Sequence, residues 1–373
     1  MALWSTVLIG LKDVRRQFVW VGVGREGRVD GDGKREGKEG GKDGGLAVSG
    51  QRYPDAWMER IPWVLTLLVS LRFTGWRIGD AKHDEQQPPK AMGRWEYSKH
   101  VVPIVALCYA LLDATSCYVK TDPFFVTSGI GVDAPLPPSA RDMPSLLVLF
   151  RLLPPRLARS SVLATQVYAM VAGMFYLPVL PVVALNAVGV ISDEWSPHTW
   201  PPFFGDFRTV ADRGLRGLWG SWWHQINRQL IEKPGRALAH ALCLSTLSSL
   251  GYGCMVATAF FFSGIMHMGL VPPKPRSEAL TANEMRLYVG GFFWSQVPAF
   301  AVEVVVSKLF ARFAPHVPQW SVAKIVILAW TAAWLCFTLP LLAVPFREIG
   351  YWTMFPLPFS VFQGLAGQGW RTW

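Results

Sequence analysis

The sequence predicts an all-α polytopic membrane protein, with about six to seven transmembrane helices and interfacial helices between them. Three observations predict this. Of 373 residues, 51% are hydrophobic and only 17% charged, whereas soluble domains carry about 25% charged residues. The mean hydropathy is +0.25. Residues 162–191 and 237–273 contain no Asp, Glu, Lys or Arg, and each run exceeds the ~20 residues that one helical span needs. The runs do not alternate polar and apolar with period two, which excludes a β-barrel.

In chain order, residues 1–21 form an N-terminal segment. Its apolar stretch 3–11 has no preceding cation and no small-residue cleavage site, so it does not read as a cleaved signal peptide. Residues 22–52 read as a Gly-rich linker. Positions 22–50 hold 11 of the 34 glycines, with six Lys/Arg and six Asp/Glu between Arg25 and Asp43. Such a tract buries too little apolar surface to offset chain entropy. It also looks foreign to its aromatic-rich flanks, as a translated intron would.

Residues 53–373 carry the apolar runs. Positions 61–76, with Pro62 suited to a first turn and Arg72 as an interruption, read as a short or interfacial helix. Positions 101–119 read as a span broken by Asp113. A Pro-rich loop and an interfacial piece, 144–153, follow. The run 162–191 is expected to kink or divide at Pro178 and Pro181. The run 237–273 is too long for one span and reads as two helices hinged near Gly251 and Gly253. Positions 287–310, carrying Glu303, and 325–346 complete the set.

The net charge of +10 sits mostly between apolar runs, where cations face lipid phosphates or an anionic co-substrate. The lipid bilayer is thus an expected partner and nucleic acid is not. The five cysteines are scattered with no CxxC, which excludes a disulfide scaffold and a structural zinc site. Lys and Arg flank both sides of most spans, so orientation is not fixed.

Ionisable groups at membrane depth are costly and mark functional candidates. They are Asp113, Glu303, His240 and His267. Asp113 and Glu303 read as interhelical hydrogen-bonding groups or partners of a nearby Arg or Lys. His240 sits at a helix start, within reach of headgroups. His267 lies in Phe260-Phe261-Phe262-Ser263-Gly264-Ile265-Met266-His267 with no acid or base nearby. It is either a hydrogen bond to a neighbouring helix or the uncharged imidazole that a general base requires. Met266, His267 and Met268 cannot converge on one metal ion, because successive helical side chains diverge by about 100°, so no metal is expected.

A second constellation comprises Trp200-Pro201-Pro202-Phe203-Phe204-Gly205 and Leu215-Arg216-Gly217-Leu218-Trp219-Gly220-Ser221-Trp222-Trp223-His224-Gln225-Ile226-Asn227-Arg228. Trp219, Trp222, Trp223 and Ile226 recur at three- and four-residue spacing, which predicts an amphipathic helix with an aromatic face. Interfacial tryptophans explain that face, but not the polar cluster His224, Gln225 and Asn227. Arg208, Arg213, Arg216, Arg228, Lys233 and Arg236 outnumber Asp206, Asp212 and Glu232 by three. This loop suits a phosphate-bearing ligand or anionic lipid equally.

These ordered segments, closed by Phe261-x-Ser263-Gly264-x-x-His267, resemble the wax synthase-like branch of the membrane-bound O-acyltransferases. The fungal members that acetylate terpenoids and related secondary metabolites are the most similar. The likeness runs from about Tyr53 onward and is strongest over 195–269. Ser221 departs from it, standing where such motifs often carry a basic residue. The short N-terminal segment suggests that one or more early helices are missing from this chain.

The resemblance implies acyl transfer at the endoplasmic reticulum, with acetyl-CoA as co-substrate, no bound cofactor, and a hydroxyl of a bulky apolar metabolite as acceptor. It implies His267 as general base and His224 as its polar partner; Arg216, Arg228, Gln225 and Trp223 are candidates for holding acyl-CoA. Some of Phe260, Phe261 and Phe262 are expected to narrow the acyl cavity, and Gly264 and Gly269 to leave room for a second substrate. A long-chain wax-ester synthase and a non-enzymatic membrane transporter are the alternatives; the transporter predicts a repeat or a pore-lining polar stripe, which the sequence lacks.

Overall fold

The computed structural model describes residues 18–20, 52–69, 76–78, 93–137, 153–191, 195, 197, 200, 202–223, 225, 228–275, 279–313, 322–353 and 357–371. The linker 22–50, the interfacial piece 144–152, His224 and Asn227 lie outside them. The chain forms two compact units, residues 1–98 with 181–201, and residues 99–180 with 202–373.

In the first unit, α1 (Trp57–Val69) has 13 residues. That is about 20 Å of helix, short of the ~30 Å hydrocarbon thickness, in keeping with an interfacial role. Strands β1 (Phe18–Trp20) and β2 (Trp76–Ile78) pair antiparallel, with Phe18 opposite Ile78. This small ribbon is the one addition to the all-α expectation among the described residues.

The membrane body is helical. The long helices α2 (Arg94–Thr121) and α4 (Pro155–Ala187) enclose the four-residue α3 (Pro123–Val126). Helix α4 runs unbroken through Pro178 and Pro181, so these prolines do not divide it; helix-breaking residues are tolerated in spans where neighbours satisfy the freed backbone groups. Then follow α5 (Arg208–Arg213), α6 (Leu215–Gly217) and a π turn at Leu218–Trp222. The rest is α7 (Arg228–Ala241), α8 (Ser249–Met268), α9 (Ala282–Trp294), α10 (Gln296–Phe313), α11 (Val322–Thr338), α12 (Pro340–Glu348) and α13 (Val361–Leu365).

Five stretches among the described residues are long and apolar enough to span a bilayer: α2, α4, α8, α9 continuing into α10, and α11 continuing into α12. The count falls below six because the run 237–273 does not hinge at Gly251 and Gly253. Its break lies at residues 242–248, where Cys243 takes a positive φ of 55° and Ser248 caps α8 by accepting from the Gly251 amide. The N-terminal part of the run is the end of α7, whose Arg228, Lys233 and Arg236 suit an interface rather than a span. His240 therefore sits in the last turn of α7, exposed, and not at a helix start.

Buried acids at membrane depth serve the fold. Asp113, fully buried, accepts from the Ser360 hydroxyl (2.5 Å) and the Val361 and Phe362 amides (2.6 and 3.1 Å), so it caps α13. A second knot joins Arg159 to Asp122 through two bonds of 2.8 and 2.9 Å, with Tyr118 donating to the same carboxylate. The remaining Arg159 protons go to the carbonyls of Val132, Ala134 and Pro135. Arg347 likewise donates to the Phe124 and Ile130 carbonyls and pairs with Glu348. The two guanidiniums, both over the Phe124 ring, thus anchor the turn after α3.

Candidate active site

Along α8, Tyr252, Met255, Val256, Ala259, Phe260 and Ser263 recur at three- and four-residue steps and form one helix face. All six line a single cavity of about 550 Å³. The face covers roughly 16 Å of helix axis. His267 continues the stripe one turn beyond Ser263.

Its Nδ1 lies 2.7 Å from the Ser263 carbonyl oxygen. A carbonyl only accepts, so this bond assigns the proton to Nδ1 and leaves the lone pair on Nε2. Nε2 makes no hydrogen bond among the described residues. The imidazole stacks on Phe293 of α9, centroids 4.1 Å apart, and Phe293 also lines the cavity.

The second aromatic segment supplies Trp219, Gly220, Ser221, Trp223 and Gln225 to the cavity, and the first segment braces it. The Gly205 amide donates to the Trp222 carbonyl (2.8 Å) and the Gln225 amide to the Phe203 carbonyl (2.9 Å), so the segments are clamped together. A Cβ at Gly205 would collide with the Ser221 carbonyl, which explains the glycine. Phe204 stacks on Trp222 and Trp222 on Tyr168 of α4.

The tryptophans do not form the continuous amphipathic helix that their spacing predicts. α6 widens into a π turn, closed by the Trp223 amide on the Leu218 carbonyl (2.7 Å), after which Trp223 is extended. Such insertions shift helical register and recur at functional sites. Here the turn presents Trp219, Gly220 and Ser221 to the cavity. The Trp219 indole N–H is held by Gln296 Oε1 (3.2 Å), and Gln296 is fully buried.

Glu303 of α10 fixes the start of the second segment. Oε1 accepts from the Leu215 amide (2.7 Å) and the Trp330 indole (3.1 Å), Oε2 from the Arg216 amide (3.1 Å), and the Arg216 Nε stands 3.5 Å from Oε2. This is the cation pairing expected of Glu303. Gly214, with φ of 63°, supplies the turn beside it that a side chain would crowd against Glu303.

Of the sequence candidates, the fold brings Arg216, Trp223 and Gln225 to the cavity; His267 does not line it but stacks on Phe293, which does. Arg216 also donates to the Ser307 hydroxyl. His224 is outside the described residues. Arg228 opens α7, and its side chain is outside them too. Of the three phenylalanines, Phe260 lines the cavity, whereas Phe261 is 52% exposed and stacks on Trp294. Gly264 leaves no vacant space: Trp294 fills it, its Nε1 standing 2.5 Å from where a Cβ would lie. Arg213, from the basic loop read in the sequence, lines the cavity too, and sequence reasoning missed Tyr252, Phe293 and Phe300, which also line it. For Tyr252 the signal was present, as the other end of the stripe that leads to His267. Among the described residues no three His, Cys, Asp or Glu side chains cluster as metal ligands.

Residues 200–282, which supply most of this cavity and include His267, match the Membrane bound O-acyl transferase family. Acetyltransferase sirH of Emericella nidulans is 26% identical over 289 residues, covering 76% of this chain and 59% of that protein. Acetyltransferase nanB of Aspergillus nanangensis is 30% identical over 50% of this chain and 42% of its own length. Acetyltransferase aurG of Calcarisporium arbuscula is 28% identical over 48% and 42%. The chain spans about half the length of these curated relatives. No solved structure matches it. By its ordered motifs and by these matches, the chain resembles the membrane-bound O-acyltransferases of the wax synthase-like branch, and the fungal acetyltransferases in particular.

Proposed function

We propose that the protein transfers an acetyl group from acetyl-CoA to a hydroxyl of an apolar secondary metabolite, a terpenoid or a compound of similar build, within the endoplasmic reticulum membrane. The observation that carries this reading is the cavity along α8, with His267 one turn beyond Ser263, stacked on the lining residue Phe293 and with no hydrogen bond to its Nε2 among the described residues. The cavity lining includes the charged Arg213, Arg216 and Glu232 and the aromatic Phe260, Phe293 and Phe300. A coenzyme A thioester is charged at one end and apolar at the other, and enters such a site with its phosphates toward the arginines.

Nε2 of His267 takes the acceptor's hydroxyl proton as its oxygen attacks the thioester carbonyl. The tetrahedral oxyanion then collapses, the carbon–sulfur bond breaks, and the coenzyme A thiolate leaves with the proton from the imidazolium. The Ser263 carbonyl, by holding the Nδ1 proton, stabilises the charge that His267 gains in the step. His224 is the proposed polar partner, polarising the thioester carbonyl or orienting the hydroxyl. No acyl-enzyme is needed, and the acceptor reaches His267 laterally from the bilayer.

Incubation of microsomes containing the full chain with labelled acetyl-CoA and a panel of hydroxylated terpenoids tests the proposal. Labelled ester absent from control microsomes is the expected result. No acylated product from any acyl-CoA would overturn it, and a preference for palmitoyl-CoA with a fatty alcohol would restore wax-ester synthesis.

A further inference from the structure

We infer that Phe293 sets the length of the acyl group, by standing where a chain longer than acetyl would have to extend. The inference rests on the acyl-transfer reading above and names the residue that gives that site its selectivity. Among the described residues, Phe293 is the one side chain that both lines the cavity and stacks on His267. A carbonyl brought within reach of His267 therefore directs its acyl substituent at this ring.

The ring has nowhere to retreat. Phe293 is 7% exposed and packs edge-to-face on Phe292, centroids 5.0 Å apart, and Phe292 packs in turn on Trp219. On the flank, Phe260 meets Phe300 at 5.4 Å and Trp219 at 5.9 Å. Met285 and Val289, both fully buried, belong to the same core cluster as Phe292 and Phe293. An interlocked aromatic layer backed by close-packed core does not stretch to admit extra methylenes. Phe261 and Phe262, which precede His267 in sequence, do not line the cavity, so the selecting ring comes from the neighbouring helix α9.

The test measures kcat/KM for acetyl-, butyryl- and hexanoyl-CoA with one acceptor, using the full chain in microsomes. The variants are Phe293→Leu, Phe293→Ala and, as an outward-facing control, Phe261→Ala. Both Phe293 variants are expected to raise the hexanoyl-to-acetyl ratio roughly tenfold or more, the scale on which pocket size discriminates chain lengths. Phe261→Ala should leave the ratio where it was. Should Phe293→Ala lose turnover because His267 loses its stacking partner, equilibrium binding of labelled acetyl- and hexanoyl-CoA reads the same preference without chemistry. An unchanged ratio in Phe293→Leu, or an unchanged binding preference in Phe293→Ala, overturns the assignment while acyl transfer stands. A wild-type chain that neither transfers from nor binds any of the three thioesters overturns the acyl-transfer reading itself.

Discussion

Replacing Glu303 with Ala removes the acceptor of three N–H groups and the partner of a guanidinium at once. The Leu215 amide and the Trp330 indole lose bonds of 2.7 and 3.1 Å, the Arg216 amide one of 3.1 Å, and Arg216 Nε its ion pair at 3.5 Å. Breaking a buried pair on one side costs about 3–5 kcal/mol. Arg216, with 29% of its side chain exposed, can recover some hydration, which places the loss near the lower end, about 3 kcal/mol. Glu303→Gln keeps one carbonyl oxygen and should lose less, about 1–2 kcal/mol, the scale of a hydrogen bond weakened from charged to neutral. Thermal unfolding of detergent-purified protein, followed by size-exclusion fluorescence, should rank wild type above Gln and Gln above Ala. Activity should follow the same order, because the carboxylate holds the start of the cavity wall. An Ala variant that melts within a degree of wild type would refute the reasoning.

Other substitutions reach separate parts of the account. Arg159→Met leaves the buried Asp122 carboxylate without its cation and should cost about 3–5 kcal/mol, seen as loss of the folded peak on heating, whereas Arg156→Met, whose pair with Asp133 is exposed, should cost about 1 kcal/mol or less. Gly205→Ala forces apart the clamp at Ser221 and should lower activity more than stability, measured on the same preparation. Deletion of residues 22–50 should leave acyl transfer unchanged or improved, since a neutral polar linker contributes little to a helix bundle; an inactive but well-expressed deletion would contradict that.

The helical class and the spans were legible because length and charge alone decide them: 162–191 needed no neighbour to be read as membrane helix. The break in 237–273 was misplaced because glycine was taken as the breaker. Ser248, a capping residue by type, ends the loop, and Gly251 sits inside the first turn of α8. Of the residues that line the cavity, Arg216, Trp223 and Gln225 could be named because the ordered motifs contain them. Phe293 and Phe300 could not, since their approach to α8 is a long-range packing of separate helices that no local period encodes. The Trp219 to Ile226 spacing misled for a similar reason: one inserted residue in a π turn breaks the helical register.

The central claim is that Nε2 of His267 is the base, and the most direct test is a single-turnover measurement with labelled acetyl-CoA and an accepted alcohol, comparing wild type with His267→Ala at equal amounts of folded protein. A positioned general base contributes about 10²–10⁴-fold. The account predicts a fall of at least that lower bound in the transfer step, with acetyl-CoA binding and the size-exclusion profile retained. A His267→Ala protein that transfers acetyl at more than a few per cent of the wild-type rate would contradict it.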